Sequence, residues 1–353
     1  MASFRISAII PTYNRASLVR RAVESALEAL LPEDEVIVVV DGSTDGTLEA
    51  LARYGDRIRV LTTPRAGVSA ARNLGMRQAA GELVAFLDDD DQWMPDKMQL
   101  QRAVMESRPD VVLCFSDFAH RTVDGEEIHG YLSRWHRDTR PWSEILGPGV
   151  PFSSLGPLPE KRGDFLVHIG DLYPSAMLGD YVCTSTATVR RKTNDELEFP
   201  EDLSLYEDWE LFARVARTGS VAMMSCESQW NCASDGYRLT QADALSAANA
   251  RVKVLERVWG SDPSFLADHG DAYREVRALH RRARARLLIA EGRTREARQD
   301  LRFVDSATVA ERLAAALPGP VARTLARARH RFRRGSHRSG SLRDAPNSQA
   351  ARP

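Results

Sequence analysis

The sequence predicts an α/β protein: a Rossmann-like, mostly parallel central sheet flanked by helices, with an α-helical C-terminal extension. Three observations point there. Over the first 115 residues, short apolar or β-branched runs alternate with segments of helical period. Turn-forming or acidic motifs (PTYN, DGSTD and DDDD) stand directly after three of the strand-like runs. Beyond about Leu239 the pattern is almost wholly helical. Alternation at this spacing makes right-handed βαβ units, and such sheets bind ligands beyond the carboxyl ends of their strands.

Taken in order, ISAIIP from Ile6 is the first strand, and SLVRRAVESALEALL is a helix with Ser17 as its expected cap. EVIVVV is a buried strand, and the turn DGSTDGT leads into the helix TLEALARYG, which Asp45 caps. RIRVLTT is a strand, VSAARNLGMRQAAG a helix stopped at Gly81, ELVAFL a strand, PDKMQLQRAVMES a helix and DVVLCF a strand. From Asp117 to about Gly163 the alternation stops. TVDGEE has hairpin-turn composition and GPGVPFSSLGPLPEKRG is a Pro/Gly loop, so 117–172 reads as an irregular insertion suited to an acceptor region. A helix near FLVHIGDLY, a strand at TSTATVRR, the helix LYEDWELFARVARTG and the strand VAMMSC follow. AYREVRALHRRARARLLIAEG and TREARQDLRFV make one helical hairpin turning at Gly292. The expected divisions are a domain at 1–240, a helical extension at 241–334 and a disordered basic tail at 335–353.

Composition narrows the classes. The 353 residues are 43% hydrophobic, enough for a sizeable core, and the net charge of -1 speaks against nucleic acid as a partner. Four cysteines without a C-x-x-C pair read as buried thiols of a reducing compartment. The first strand leaves no room for a signal peptide, and no apolar run approaches membrane-spanning length. The expected location is cytoplasmic, with the inner face of the plasma membrane as an extension of it.

The acidic run Asp88–Asp91 holds the most chemistry. Adjacent carboxylates repel, and a strand end that concentrates them calls for a cation. In an extended chain Asp88 and Asp90 share one side, a hard-oxygen pair suited to Mg²⁺ or Mn²⁺, while Asp89 points the other way. A solvated acidic turn, or a cap for the helix near Pro95, is the alternative. Asp41 ends a buried strand. It is either an Asx-turn or helix cap, or a carboxylate accepting the ring N–H of uracil, thymine or guanine. Tyr13, beside Pro11 and Thr12, either stacks on a base or packs in the core. Asp208 opens a helix, where the dipole favours an acid whatever its role. His120, His129 and His136 fit no zinc or helical metal spacing. VARTLARARHRFRR at 321–334 is either a solvated Arg-rich helix end or a peripheral contact with anionic lipid.

AIIPTYNR, VVVDGSTDGT, GVSAARNLG, FLDDDDQWMPDK and YEDWEL, in this order and context, resemble the motifs of the family-2 inverting glycosyltransferases, which have the GT-A fold. The resemblance covers about the first 240 residues. It implies transfer from a nucleotide-diphosphate sugar, UDP-sugar favoured, to a saccharide or lipid-linked acceptor with a divalent metal, Mn²⁺ or Mg²⁺. Bacterial polysaccharide, lipopolysaccharide or glycolipid assembly is the implied setting. By the same resemblance Asp41 contacts the base, Arg72 lies near the diphosphate or base, and Pro11, Tyr13 and Asp89 belong to the nucleotide-sugar site. Asp88 meets the ribose or the metal, Asp90 ligates the metal, and Asp208, rather than Glu207, is the general base. One departure stands out: QWNCASDGYRLT lacks the family's histidine, leaving Arg238 as the expected phosphate contact and water in place of a third protein metal ligand. The alternatives are a catalytically inactive sugar-nucleotide-binding module and a haloacid-dehalogenase-type phosphohydrolase. The latter wants Thr or Val two residues after Asp90, where this chain has Gln92. A nucleotidylyltransferase would need a Gly-rich N-terminal phosphate loop, which is absent from the sequence.

Overall fold

The computed structural model describes residues 4–136, 138–191, 197–233 and 243–326. These divide into two compact units, one within 1–242 and 253–269, the other within 243–252 and 270–353.

Among the described residues of the first unit eleven strands form one sheet. They are β1 (Ile6–Thr12), β2 (Glu35–Asp41), β3 (Arg59–Thr63), β4 (Leu83–Phe86), β5 (Gln92–Trp93), β6 (Val111–Arg121), β7 (Glu127–Ile128), β8 (Gly149–Pro151), β9 (Leu166–Gly170), β10 (Thr188–Arg190) and β11 (Ser220–Cys232). The order is β3-β2-β1-β4-β10-β6-β11-β9-β8, with β5 on β11 and β7 on β6. Its nucleus is parallel: β1 with β2 and β4, β2 with β3, and β6 with β11. Every residue of β1 and β4 is buried, as continuous apolar runs in a sheet covered on both faces should be. The helix Val68–Gln78 approaches β1 closely at Gly75, where a Cβ would stand 2.6 Å from Ile9 Cγ2.

β10 runs antiparallel between β4 and β6. Its N-terminal side therefore lies beside the carboxyl end of β4. The short turn Thr184–Thr186 is carried there with it. Ser185 Oγ accepts from Asp88 N–H at 3.0 Å, and Trp93 Nε1 donates to the Ser185 carbonyl at 2.9 Å.

Several local expectations are corrected. FLVHIGDLY is not helical: its core forms β9, which pairs antiparallel with β8 and β11. Cross-strand partners on both sides outweigh the weak helical pattern. The TVDGEE turn is a hairpin, with Arg121 opposite Glu127, but β6 first runs on through Asp117 to Arg121. Ser17 lies inside its helix (Ala16–Ala29) rather than capping it, and Asp45 Oδ2 accepts from Ala16 N–H at 3.2 Å. Asp45 Oδ1 also accepts from Thr47 N–H at 3.0 Å, where the helix Thr47–Ala52 begins.

The second unit is helical. The chain turns at Gly292 (φ +78°), as expected, into the helix Thr294–Leu301. The helix Val309–Ala316 follows, opened by a reciprocal capping box of Thr308 and Glu311. Ala285, Leu288, Ala297, Leu301, Val304 and Ala315 form its core. Of 321–334, residues 321–326 are helical. The remainder, and the expected tail at 335–353, lie outside the described residues. Among the described residues no helix is long and apolar enough to cross a membrane.

Candidate active site

The four aspartates do not stay extended. Asp91 N–H donates to the Asp88 carbonyl at 3.0 Å, closing a turn, so the alternation argument that paired Asp88 with Asp90 does not hold. Arg15 Nη1 instead joins Asp89 Oδ1 (2.7 Å) to Asp90 Oδ2 (2.9 Å). Asp88 Oδ1 faces Arg72 Nη2 at 2.7 Å. Asp91 is 1% exposed and accepts from Cys232 N–H and Asn231 Nδ2, both at 3.1 Å, anchoring the turn to β11. Burial pushes the Asp91 carboxyl upward. It also pushes Asp89 up to about 6, with Arg15 opposing.

The donor chemistry of this turn fits a divalent cation. Asp88 and Asp90 are partly exposed oxygen donors. Among the described residues no three His, Cys, Asp or Glu side chains form a metal cage. The protein would thus supply one or two carboxylates, with ligand phosphates and water completing the shell, a mode suited to Mg²⁺.

Arg72 links this turn to a second acidic element. It is 4% exposed, and its Nη1 lies 3.0 Å from Glu207 Oε1. Glu207 opens the helix Glu207–Ala216, after Tyr206 in the left-handed region (φ 62°). Free backbone N–H groups and the helix dipole favour the carboxylates of Glu207, Asp208 and Glu210 in this first turn. Asp208 is half-buried, and its Oδ2 accepts from Thr184 Oγ1 at 3.0 Å. Burial raises the Asp208 carboxyl, opposed by Arg72 and by the Thr184 hydrogen bond. Glu207 is pushed up to about 7 by burial and by Asp208, again against Arg72. A third carboxyl, Asp180, is raised by burial and by the Asp208 charge, and accepts from Val182 N–H at 3.2 Å.

At the end of β2, Asp41 is 5% exposed, and its two oxygens accept from Ala66 N–H (2.7 Å) and Gly67 N–H (2.9 Å). It fixes the turn before the Val68–Gln78 helix, rather than capping the helix at Thr47. Each oxygen keeps a lone pair for a further donor. Pro11 is buried within β1 opposite Val39. The Tyr13 ring is half-buried under the Arg65 guanidinium, 3.3 Å from its centroid. Arg238 lies outside the described residues. His120, His129 and His136 bind Asn231, Glu227 and the Tyr181 ring face. Arg15, Arg65 and Asp180 had no role in the sequence reading. Arg15 sat within PTYNR, whereas Arg65 and Asp180 stand in loops without a motif.

The fold is that of the GT-A type of glycosyltransferase. Residues 7–149 match the model of Glycosyl transferase family 2. Among solved structures, S. aureus TarS (residues 1–349, with UDP-GlcNAc) is similar at a TM-score of 0.52 and 16% identity, covering 84% of this chain and 88% of that one. The mannosyltransferase PcManGT of Pyrobaculum calidifontis, with GDP-Man and Mn²⁺, gives 0.51 at 19% identity, covering 90% and 79%. The putative teichuronic acid biosynthesis glycosyltransferase TuaG of Bacillus subtilis is 34% identical over 131 residues, 36% of this chain and 52% of TuaG. YibD of Escherichia coli, an uncharacterized glycosyltransferase, is 36% identical over 164 residues, 41% of this chain and 48% of YibD. The chain thus spans about half the length of these two relatives.

Proposed function

We propose that this chain is an inverting, metal-dependent glycosyltransferase that moves a sugar from a nucleotide-diphosphate donor, a UDP-sugar first, to an acceptor hydroxyl. The observation that favours this most is Arg72, a buried guanidinium joining Asp88 of the acidic turn to Glu207, the neighbour of Asp208. One residue thereby ties the donor side to the base side.

In this reading Asp208 takes the proton of the acceptor hydroxyl as that oxygen attacks the anomeric carbon. The bond to the diphosphate breaks on the opposite face, the leaving oxygen keeps the electron pair, and the configuration inverts. A raised carboxyl suits such a base, because its proton affinity moves toward neutral pH. In this reading Arg15 and Arg72 are the guanidiniums that offset the charge of the leaving diphosphate. Mn²⁺ or Mg²⁺, held by Asp90 and Asp88, would supply further neutralisation of that charge. Asp41, Pro11, Tyr13 and Asp89 form the nucleoside side, and Arg238 is assigned to the phosphates. Catalysis is assigned to 1–240. The acceptor side falls to 117–172, where His136 stacks at 4.9 Å on Tyr181 beside the Trp142 ring.

A saccharide or lipid-linked acceptor in bacterial polysaccharide, lipopolysaccharide or glycolipid assembly, at the cytoplasmic face of the membrane, fits the name of TuaG. Residues 321–334 are the assigned membrane contact. The UDP-GlcNAc of TarS and the GDP-Man and Mn²⁺ of PcManGT favour a nucleotide sugar and a divalent metal in the same fold. The test is a thermal-shift panel of nucleoside diphosphates with Mn²⁺ and with EDTA. Stabilisation by UDP that EDTA abolishes is expected, since a ligand that binds only the folded state raises its stability. A panel in which no nucleotide gives a metal-dependent shift overturns the reading.

A further inference from the structure

Among the described residues the helical unit gathers four exposed arginines around a hollow with no carboxylate in its wall. Arg295 and Arg298 lie three apart on the helix Thr294–Leu301, and Arg302 follows four further on, so the three share a face. Together with Arg312 of the next helix and Gln299 they line a cavity of about 490 Å³ that has no carboxylate in its wall. Three acids of this unit have other partners. Asp300 is held by Arg281 and Arg284, Glu311 by Arg282 and Arg286, and Glu296 by Arg293. Two of the four arginines are also steadied from behind by backbone carbonyls. Arg298 Nη1 donates to Ala315 O at 2.7 Å, and Arg312 Nη2 to Val304 O at 3.3 Å.

Four exposed guanidiniums around one hollow repel one another weakly through water, and an anion among them relieves that repulsion. The planar fork of arginine matches phosphate oxygens in pairs, so a multiply charged tetrahedral anion satisfies several forks at once. We propose that Arg295, Arg298, Arg302 and Arg312 form a phosphate-binding site on the helical unit. The phosphate comes either from a lipid headgroup or from a soluble ester. Val309 and Leu313, four apart on the helix that bears Arg312, are 73% and 63% exposed, the apolar neighbours that a bilayer surface would cover.

Arginine footprinting of the full chain with phenylglyoxal, read residue by residue by mass spectrometry, tests this directly. The probes are inorganic phosphate, vesicles of phosphatidylcholine with phosphatidylglycerol, and vesicles of phosphatidylcholine alone, with sodium chloride matching the ionic strength. Phosphate or the anionic vesicles should slow modification of Arg295, Arg298 and Arg302 several-fold, while exposed Arg20 and Arg57 react as before. Protection by the anionic vesicles alone assigns a headgroup, by free phosphate alone a soluble ester, and by both a headgroup whose phosphate suffices. The double variant Arg295→Gln/Arg302→Gln, with unchanged far-ultraviolet circular dichroism, should lose the protection at Arg298 that the charge-matched Arg20→Gln/Arg57→Gln keeps. Equal protection by sodium chloride, protection by none of the probes, or protection of Arg298 surviving the double variant overturns the proposal.

Discussion

The two units gather charge with opposite surpluses, partly buried in the first and exposed in the second. At the strand ends of the first, Asp88, Asp89, Asp90, Glu207, Asp208 and Asp180 gather around Arg15 and Arg72, and several of these carboxyls are pushed upward. In the helical unit the buried Asp300 is bracketed by Arg281 and Arg284 and the partly buried Glu311 by Arg282 and Arg286, with further, exposed arginines left over. A bracketed acid needs nothing more and is structural. An excess of one sign is an unfinished arrangement, completed by a ligand of the other sign. On the proposed reading the first unit takes a metal cation and the second an anion.

The sharpest break in this comparison comes from Asp208→Asn. If the surplus carboxyl is the base, turnover with a nucleotide sugar and a competent acceptor should fall about 10²–10⁴-fold, while nucleotide affinity by calorimetry stays. A variant that keeps its turnover moves the base elsewhere. The counterpart in the helical unit is Asp300→Ala, which leaves Arg281 and Arg284 facing each other without their acid. It should cost about 3 kcal/mol in urea unfolding, with no direct effect on nucleotide binding. A loss well below 1 kcal/mol would mean that solvent, rather than Asp300, holds those charges.

A smaller, pH-dependent effect separates burial from pairing. Lys97 is fully buried against Gln101 and the Thr186 carbonyl (3.1 Å), and burial pulls its ammonium down to about 7 from 10.5. Between those values the unfolded chain holds a proton that the folded chain has released, so this group makes stability rise with pH. The slope is at most about 1.4 kcal/mol per pH unit. Lys97→Met should remove that share of the rise between pH 7.5 and 9.5, measured by chemical denaturation. An unchanged slope would show that Lys97 keeps its proton in the fold. The smallest effect is expected for Arg286→Ala. Arg286 is 60% exposed and shares Glu311 with Arg282, so its loss should cost under about 1 kcal/mol.

The legible parts were those encoded by short-range pattern. β1 to β4 and the helices between them follow from apolar runs alternating with helical period, and the hairpin at Gly292 from one glycine between two helical patterns. The strand in FLVHIGDLY is not legible from local pattern, because its identity depends on β8 and β11, partners distant in sequence. At the site, the acidic turn and the acidic helix start were visible as motifs. The partners of the aspartates were not, because Arg15, Arg72 and Thr184 reach them across 16 to 75 residues of chain.

By itself the sequence determined the α/β class, the family resemblance and the identity of the acidic elements, all properties of contiguous residues. The tertiary structure alone decided how the acids are shared. A turn at Asp88–Asp91 replaced the extended run, so Arg15 took Asp89 and Asp90 while Arg72 took Asp88 together with Glu207. The antiparallel insertion of β10 set Thr184 against Asp208 and Ser185 against Asp88. The physical reason is the reach of the forces: local pattern sets each element, whereas the pairing of charges depends on which strand ends the sheet brings together.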